Sequence, residues 1–489
     1  MSAVAGASSL PRPGVAARVS RPPVGTAAAP LALVRDPLRM ALFVLTILTI
    51  SRVHEQYPVL ARFRPALLLV IASVGYAYLN PRYLTRTNVL RLWPMRVVAA
   101  LGVLACCSAA FGISLGASAT FILNSYVKTL AYAFLIAVSI RHVRDLFTFV
   151  WAYVISCGIL SFFSIFVFGI SKASGSYVER LTNLYTYDSN DLGVVMMVGL
   201  PLTLLLLTVE RGAKRWFLLP ILIGISVTMA RSGSRGGFLG FIAVGAAALI
   251  LVNGVSVTRR FLMLAAAVIA LAVGAPPGYW KQMGTILAPK EDYNFSDRDG
   301  RKAVMERGIG YMNQYPVFGL GIANFGRAEC TISPKIASLR INGPMKCIAP
   351  HNSYVEAGAE LGVPGFLIWV SLVFGGIFAP LRLRGRLPKL WRRGTESERF
   401  IYNATSFFAV AMVGFAVTSF FVSFAWMDPL YLMAAFLTGL YVAARAQIEG
   451  GGGSRHGAVL ESSSSSPGWR VKQSAWRAQM NRQPELATE

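Results

Sequence analysis

Long apolar runs, each ended by a short polar stretch rich in arginine, recur from residue 40 almost to residue 446. A bilayer requires about 20 consecutive apolar residues of helix. A shorter run at 40–50 could pass for a signal-peptide core but lacks a small-residue cleavage site and reads as a retained first span, and runs nearer that length fall at 65–80, 97–114, 118–140, 146–169, 191–209, 216–230, 236–253, 260–275, 353–380, 401–423 and 429–446. The pattern predicts an all-α, polytopic membrane bundle of about twelve spans, with the pair at 216–253 readable as one helix broken between Arg231 and Gly237. Residues 1–34 are expected to be a disordered cytoplasmic lead, and residues 447–489 a disordered basic cytoplasmic tail after a run of glycines. Residues 35–446 form the membrane domain. Within it the polar stretch 276–352 is the one long loop with room to fold, and Lys302–Asn313, ahead of Pro316, reads as a short helix in it.

Composition agrees: 55% of the 489 residues are hydrophobic and 14% charged, which excludes a water-soluble globular protein. The net charge of +25 would suit nucleic acid, but the basic residues sit in clusters between apolar runs, so no nucleic-acid partner is expected. Starting from a cytoplasmic N-terminus, the clusters Arg82–Arg96, Arg141–Arg144, Arg211–Arg215, Arg259–Arg260 and Arg382–Arg399 all fall inside. The positive-inside rule thereby places the loops 170–190 and 276–352 outside. Of five cysteines only Cys330 and Cys347 share a polar loop, where a disulfide is an open alternative to two thiols, and no zinc spacing occurs.

The informative residues break these membrane rules. Arg231 and Arg235 flank a small external turn where orientation has no use for positive charge. With Ser234 as N-cap, Arg235 opens a helix whose exposed N–H groups already favour an anion. The alternatives are a phosphate or diphosphate site and an arginine snorkelling to membrane lipids. Asp188 and Asn190 precede another span and suit N-capping. His351 precedes a third, as a capping residue or a general base. Glu356 and Glu360 share one helical face inside a span, where a carboxylate is costly unless satisfied, and a structural pairing is favoured over catalysis. The alternatives for Glu356 on this reading are orienting a loop arginine and facing a lipid-tail channel.

Three motifs carry a family resemblance over residues 180–370. They are Ser234-Arg235-Gly236 after an apolar span, Gly300-Arg301 fifteen residues ahead of Pro316-Val317-Phe318-Gly319-Leu320-Gly321, and His351-Asn352-Ser353-Tyr354-Val355 followed by Glu360-Leu361-Gly362-Val363-Pro364-Gly365. Together they resemble the O-antigen ligase and O-antigen polymerase family of bacterial membrane glycosyltransferases. Asp188-Ser189-Asn190 is similar to the family's aspartate-x-asparagine element, while Met305 departs from it where tryptophan is common.

The resemblance implies a bacterial inner-membrane enzyme with its site facing the periplasm. Its donor would be a glycan on undecaprenyl diphosphate, and its acceptor a hydroxyl of the lipid A core or of a growing polysaccharide. Arg235 and Arg301 would hold the diphosphate and His351 would activate the acceptor, with Asp188, Asn190, Asn352, Tyr354 and Glu356 around the substrates. No metal and no cofactor is implied, and a single displacement would invert the anomeric carbon. A ligase and a polymerase are not separated. A transporter or flippase would share the span count, but it tends towards midplane ionisable residues and repeated halves, which this sequence lacks.

Overall fold

In a computed structural model the chain is described over residues 31–172, 178–182, 184, 186–288, 300–334 and 347–459. The first elements are α1 (Pro37–Ser51), α2 (Pro58–Arg62), α3 (Pro65–Leu79), α4 (Trp93–Phe111), α5 (Leu115–Phe121), α6 (Val127–Ser139) and α7 (Val143–Phe166). A two-stranded ribbon, β1 (Gly169–Lys172) and β2 (Glu179–Thr182), precedes α8 (Asp191–Val209), α9 (Ala213–Ser232), α10 (Arg235–Leu251), α11 (Val257–Val273) and the short α12 (Tyr279–Gly284). The polar loop carries α13 (Arg301–Gln314) and α14 (Phe325–Thr331), and the chain closes with α15 (Ser353–Arg386), α16 (Glu396–Thr418) and α17 (Asp428–Val459).

Every expected span is helical. Among the described residues eight helical stretches are long and apolar enough to cross a membrane, while Pro37–Ser51, Pro65–Leu79 and Arg235–Leu251 are shorter apolar helices. The span expected at 118–140 is α5 and α6 joined by a π-helical turn, Ile122–Tyr126. The interruption at 231–237 separates two helices, because Gly233 takes a left-handed φ of 58° that ends α9.

Burial ranks the helices. The apolar window of α8 is 94% buried, that of α17 83% and that of α16 72%, against 39% for α15. A helix apolar on all sides belongs at the centre of a bundle, and α8 packs there against α16, α9 and α10.

Three boundaries differ from expectation. The loop 170–190 contains the antiparallel ribbon, with Ile170 opposite Leu181, inside an otherwise helical fold. Residues 31–34 are not a loose lead: the Leu31 N–H donates to Glu396 and the Val34 N–H to Thr148. The last helix continues past residue 446 to Val459. Residues 1–30 and 460–489, on which the remaining disordered-terminus expectations fall, lie outside the described residues, as does Asp299.

At the end of the bundle away from the polar loop, one buried arginine ties four segments together. Arg39 pairs with Asp36 at 2.9 Å and Asp145 at 2.7 Å, and donates to the carbonyls of Ser139 and Tyr83. A buried charge persists only when paired and hydrogen-bonded in this way.

Candidate functional site

At the opposite end the starts of α8, α10 and α15 meet the polar loop. Asp188 closes the first of these: its Oδ1 accepts the N–H groups of Asn190 at 2.6 Å and Asp191 at 2.8 Å. The Asp191 carboxylate accepts the Asp188 N–H in return, so Asp-Ser-Asn-Asp forms a reciprocal cap for α8. The Asn190 side-chain carbonyl then faces away and accepts Arg180 Nη2 at 2.7 Å. Arg180, on β2, also donates through Nε to the Ser232 carbonyl at 3.0 Å. One guanidinium therefore joins the start of α8 to the end of α9. A Cβ on Gly233 would lie 2.8 Å from Val178 and 3.1 Å from Arg180, so the turn must carry glycine for the ribbon to sit on it.

The next start is as the sequence predicts. Ser234 is the N-cap of α10, its side chain accepting the Gly237 N–H at 3.2 Å, and Arg235 is the first helical residue. Arg235 Nη1 donates to Thr285 Oγ1 at 2.8 Å, just after α12. Gly236 admits Phe421, whose Cβ would be 2.5 Å from any Cβ at that position.

Phe421 begins a connecting segment, between α16 and α17, that the motifs did not single out. Two residues on, Ser423 Oγ accepts the backbone N–H of His351 at 2.9 Å. The Ser353 hydroxyl donates to the Val422 carbonyl and accepts the Phe424 N–H. Residues 421–424 thus link the helix start bearing Arg235 to the one bearing His351.

His351 adopts a left-handed φ of 48°, uncommon for a residue with a Cβ and a mark of local constraint. Asn352 follows as N-cap of α15, its Oδ1 accepting the N–H groups of Tyr354 and Val355. Its Nδ2 lies 3.9 Å from Met305 Sδ, one turn beyond Arg301 on α13, so the departure from tryptophan falls at the contact between loop helix and histidine motif. Burial lowers the His351 pKa from its ordinary value, the Arg301 charge lowers it further, and the Asp188 carboxylate opposes both. Arg301 and Asp188 thus each lie within electrostatic reach of His351.

Other residues named from the sequence are turned into the protein. The Tyr354 hydroxyl donates to the Ala416 carbonyl at 2.9 Å and its ring stands edge-on to Trp369. Glu356 is satisfied from the α16–α17 segment, its Oε2 accepting the Ala425 N–H at 2.9 Å, and no arginine bonds to it among the described residues. Glu360 accepts three donors, the N–H groups of Ala323 and Phe325 and the Trp426 indole. The two carboxylates are held by the loops around them, which is how a span tolerates them.

The glycine motifs are architectural. Gly362 breaks α15 with a φ of 72°, and a Cβ there would meet the Pro316 carbonyl oxygen at 2.6 Å. Gly319, with φ of 70°, would in turn collide with the Glu360 carbonyl at 2.5 Å. The N–H groups of Leu320 and Gly321 donate to the carbonyls of Ala359 and Glu360, and that of Val363 to Pro316. Pro-x-x-Gly-x-Gly and Glu-Leu-Gly are thus two halves of one backbone-to-backbone junction. Nearby, Arg307 on α13 pairs with the buried Glu329 on α14 at 2.7 Å, and a Cys330–Cys347 disulfide closes the loop behind it.

Arg235, Arg301, His351 and Asp188 accordingly gather at one end of the bundle, with Arg180 and residues 421–424 connecting them. Residues 218–370, which hold three of these four, match the family model described as O-antigen ligase. No curated protein matches the chain.

Proposed function

We propose, from the premise that residues 218–370 are an O-antigen ligase family domain in a multi-pass membrane protein, that this chain transfers a glycan from undecaprenyl diphosphate to a sugar hydroxyl at the periplasmic face of the inner membrane. The observation that carries this reading is the convergence of three helix starts: Asn352 lies 3.9 Å from Met305, one turn beyond Arg301, and residues 421–424 join the His351 turn to the helix start of Arg235. Two arginines and one histidine at the same end of the bundle suit the needs of the reaction.

In that reaction the acceptor oxygen attacks the anomeric carbon and the bond from that carbon to the diphosphate breaks, leaving negative charge on the leaving group. Arg235, at the N-terminus of α10, and Arg301, at the N-terminus of α13, would bind and stabilise that charge; their guanidinium forks and the adjacent helix N–H groups act together. The acceptor proton passes to His351. A pKa kept low by burial and by Arg301 leaves its imidazole neutral and able to accept near neutral pH. Positive charge for the leaving group then comes from the two arginines without a metal, and a single displacement inverts the anomeric carbon. Asp188 and Asn190 shape the site through α8 and Arg180, and Asn352 caps the helix that follows His351.

The test is transfer by the purified full chain in nanodiscs, supplied with an undecaprenyl-diphosphate-linked glycan and either lipid A core or a second lipid-linked repeat. His351→Ala and Arg235→Ala should each lose roughly a hundredfold or more in rate. Transfer at the wild-type rate by both variants would refute the assignment. The acceptor that is used separates a ligase, the favoured reading, from a polymerase.

A further inference from the structure

Beside the gathered residues lies a separate cavity of about 640 Å³, bordered by α1, α2, the π-helical turn and the start of α17. That volume is in the range of small-molecule sites and exceeds what a single ion needs. Its charges are unevenly satisfied. Arg52 is taken by Glu55 and Asp428, each at 3.2 Å, and Asp428 also accepts the Thr129 hydroxyl at 2.6 Å. Both cavity carboxylates are thereby committed. Arg64 and Lys128, which also line the cavity, make no ion pair with a carboxylate among the described residues.

The π-helical turn Ile122–Tyr126 adds neutral polar groups, because Asn124 and Ser125 line the same space one turn ahead of Lys128. Single π turns in a helix cost backbone geometry and are frequent where a ligand binds. The cavity shares two chain segments with the machinery proposed above. Thr186 borders it, donating to Glu55 through both its N–H and its hydroxyl, two residues before Asp188. Trp426 and Asp428 border it from the segment whose Ser423 holds His351.

We propose that this cavity is the subsite for the acceptor glycan, and that Arg64 and Lys128 select a glycan carrying phosphate or carboxylate groups. This rests on the transfer reading. The amide and hydroxyl groups suit sugar hydroxyls, Arg64 and Lys128, without an ion pair among the described residues, supply a preference for negative charge, and the segments that wall the cavity run on to Asp188 and to Ser423, which holds His351.

The test is equilibrium binding of three fluorescent probes to the full chain in phosphatidylcholine nanodiscs, which present no net lipid charge. The probes are neutral maltotriose, phosphorylated maltotriose and trigalacturonate. At least one anionic probe should bind roughly tenfold more tightly than the neutral one at low salt, and which one does so separates phosphate from carboxylate. Arg64→Gln combined with Lys128→Gln should abolish the preference, whereas Arg64→Lys combined with Lys128→Arg should retain it. Arg235→Gln should also retain it, since that residue faces the diphosphate.

Equal binding of all three probes by the wild type, or a preference that survives the Arg64→Gln, Lys128→Gln pair, would overturn the proposal. So would a preference lost on Arg235→Gln, which would put the probe in the diphosphate site, or displacement of the probe by phosphatidylglycerol, which would identify a lipid headgroup as the occupant. Binding is read without turnover, so these failures are distinct from failure of the transfer assay.

Discussion

Arg180 and Asn190 meet at 2.7 Å, Nη2 to Oδ1, and through that bond the ribbon is fastened to the start of α8 while the same guanidinium holds the carbonyl of Ser232. A hydrogen bond to a charged group contributes about 1.5–3 kcal/mol. Arg180→Gln is expected to lower transfer by roughly 10- to 100-fold if the contact positions the Arg235 turn. The check is a double-mutant cycle with Asn190→Ala. Coupled residues give less than additive losses, and strict additivity would separate Arg180 from Asn190.

The ionisation of His351 sets the direction of a pH dependence. Burial and Arg301 lower its pKa and Asp188 raises it, so transfer that needs a neutral imidazole should hold as pH falls through the ordinary histidine value of about 6.5 and decline only below it. Removing a positive neighbour makes protonation easier. Arg301→Gln should therefore move the acidic limb to higher pH, and Asp188→Asn to lower pH. Rate–pH profiles of the two variants check this, and shifts in the same direction would remove His351 as the titrating group.

The glycine junction makes a prediction about stability. Gly319→Ala and Gly362→Ala each place a Cβ 2.4 to 2.6 Å from backbone atoms at positive φ, and the left-handed conformation alone costs a non-glycine residue about 1–2 kcal/mol. Both variants should unfold at visibly lower temperature in detergent than Gly116→Ala, where a Cβ meets no atom of the described residues within 4 Å. Equal melting temperatures for all three would show that the junction yields.

At the other end of the bundle, Asp145→Ala removes the 2.7 Å partner of Arg39 and leaves a buried guanidinium short of charge. Breaking a buried pair from one side costs about 3–5 kcal/mol. The expected result is a loss of thermal stability with near-normal transfer by the protein that remains folded. A selective loss of transfer at unchanged stability would tie this end to the chemistry.

The helical spans were legible because a bilayer imposes one length and one polarity on each of them, and α8 shows this most plainly, being apolar throughout and enclosed on all sides. Ser234 as N-cap and Arg235 as first helical residue were legible because capping is a local matter of residue type. The ribbon was not: Gly-Ile-Ser-Lys and Glu-Arg-Leu-Thr are too short and polar to show an apolar alternation, so Arg180 carried no signal. Glu360 could be recognised as a costly carboxylate, but two of its three donors are backbone N–H groups 35 and 37 residues away, and a backbone donor leaves no trace in residue type. Ser423 was hidden for a related reason, since it holds His351 by its main chain.

The break at Gly362 gives α15 two mechanical halves. Its first turns, bearing His351 at their head, are bonded to the Pro316–Gly321 segment through Ala359 and Glu360, and α13 with Arg301 leads directly into that segment. Below the break the helix belongs to the membrane bundle. The histidine turn is therefore anchored twice, to the loop segment that follows the Arg301 helix and, through Ser423, Val422 and Ala425, to the segment packed on the Arg235 helix start, so a substitution at either anchor reaches His351 without touching it.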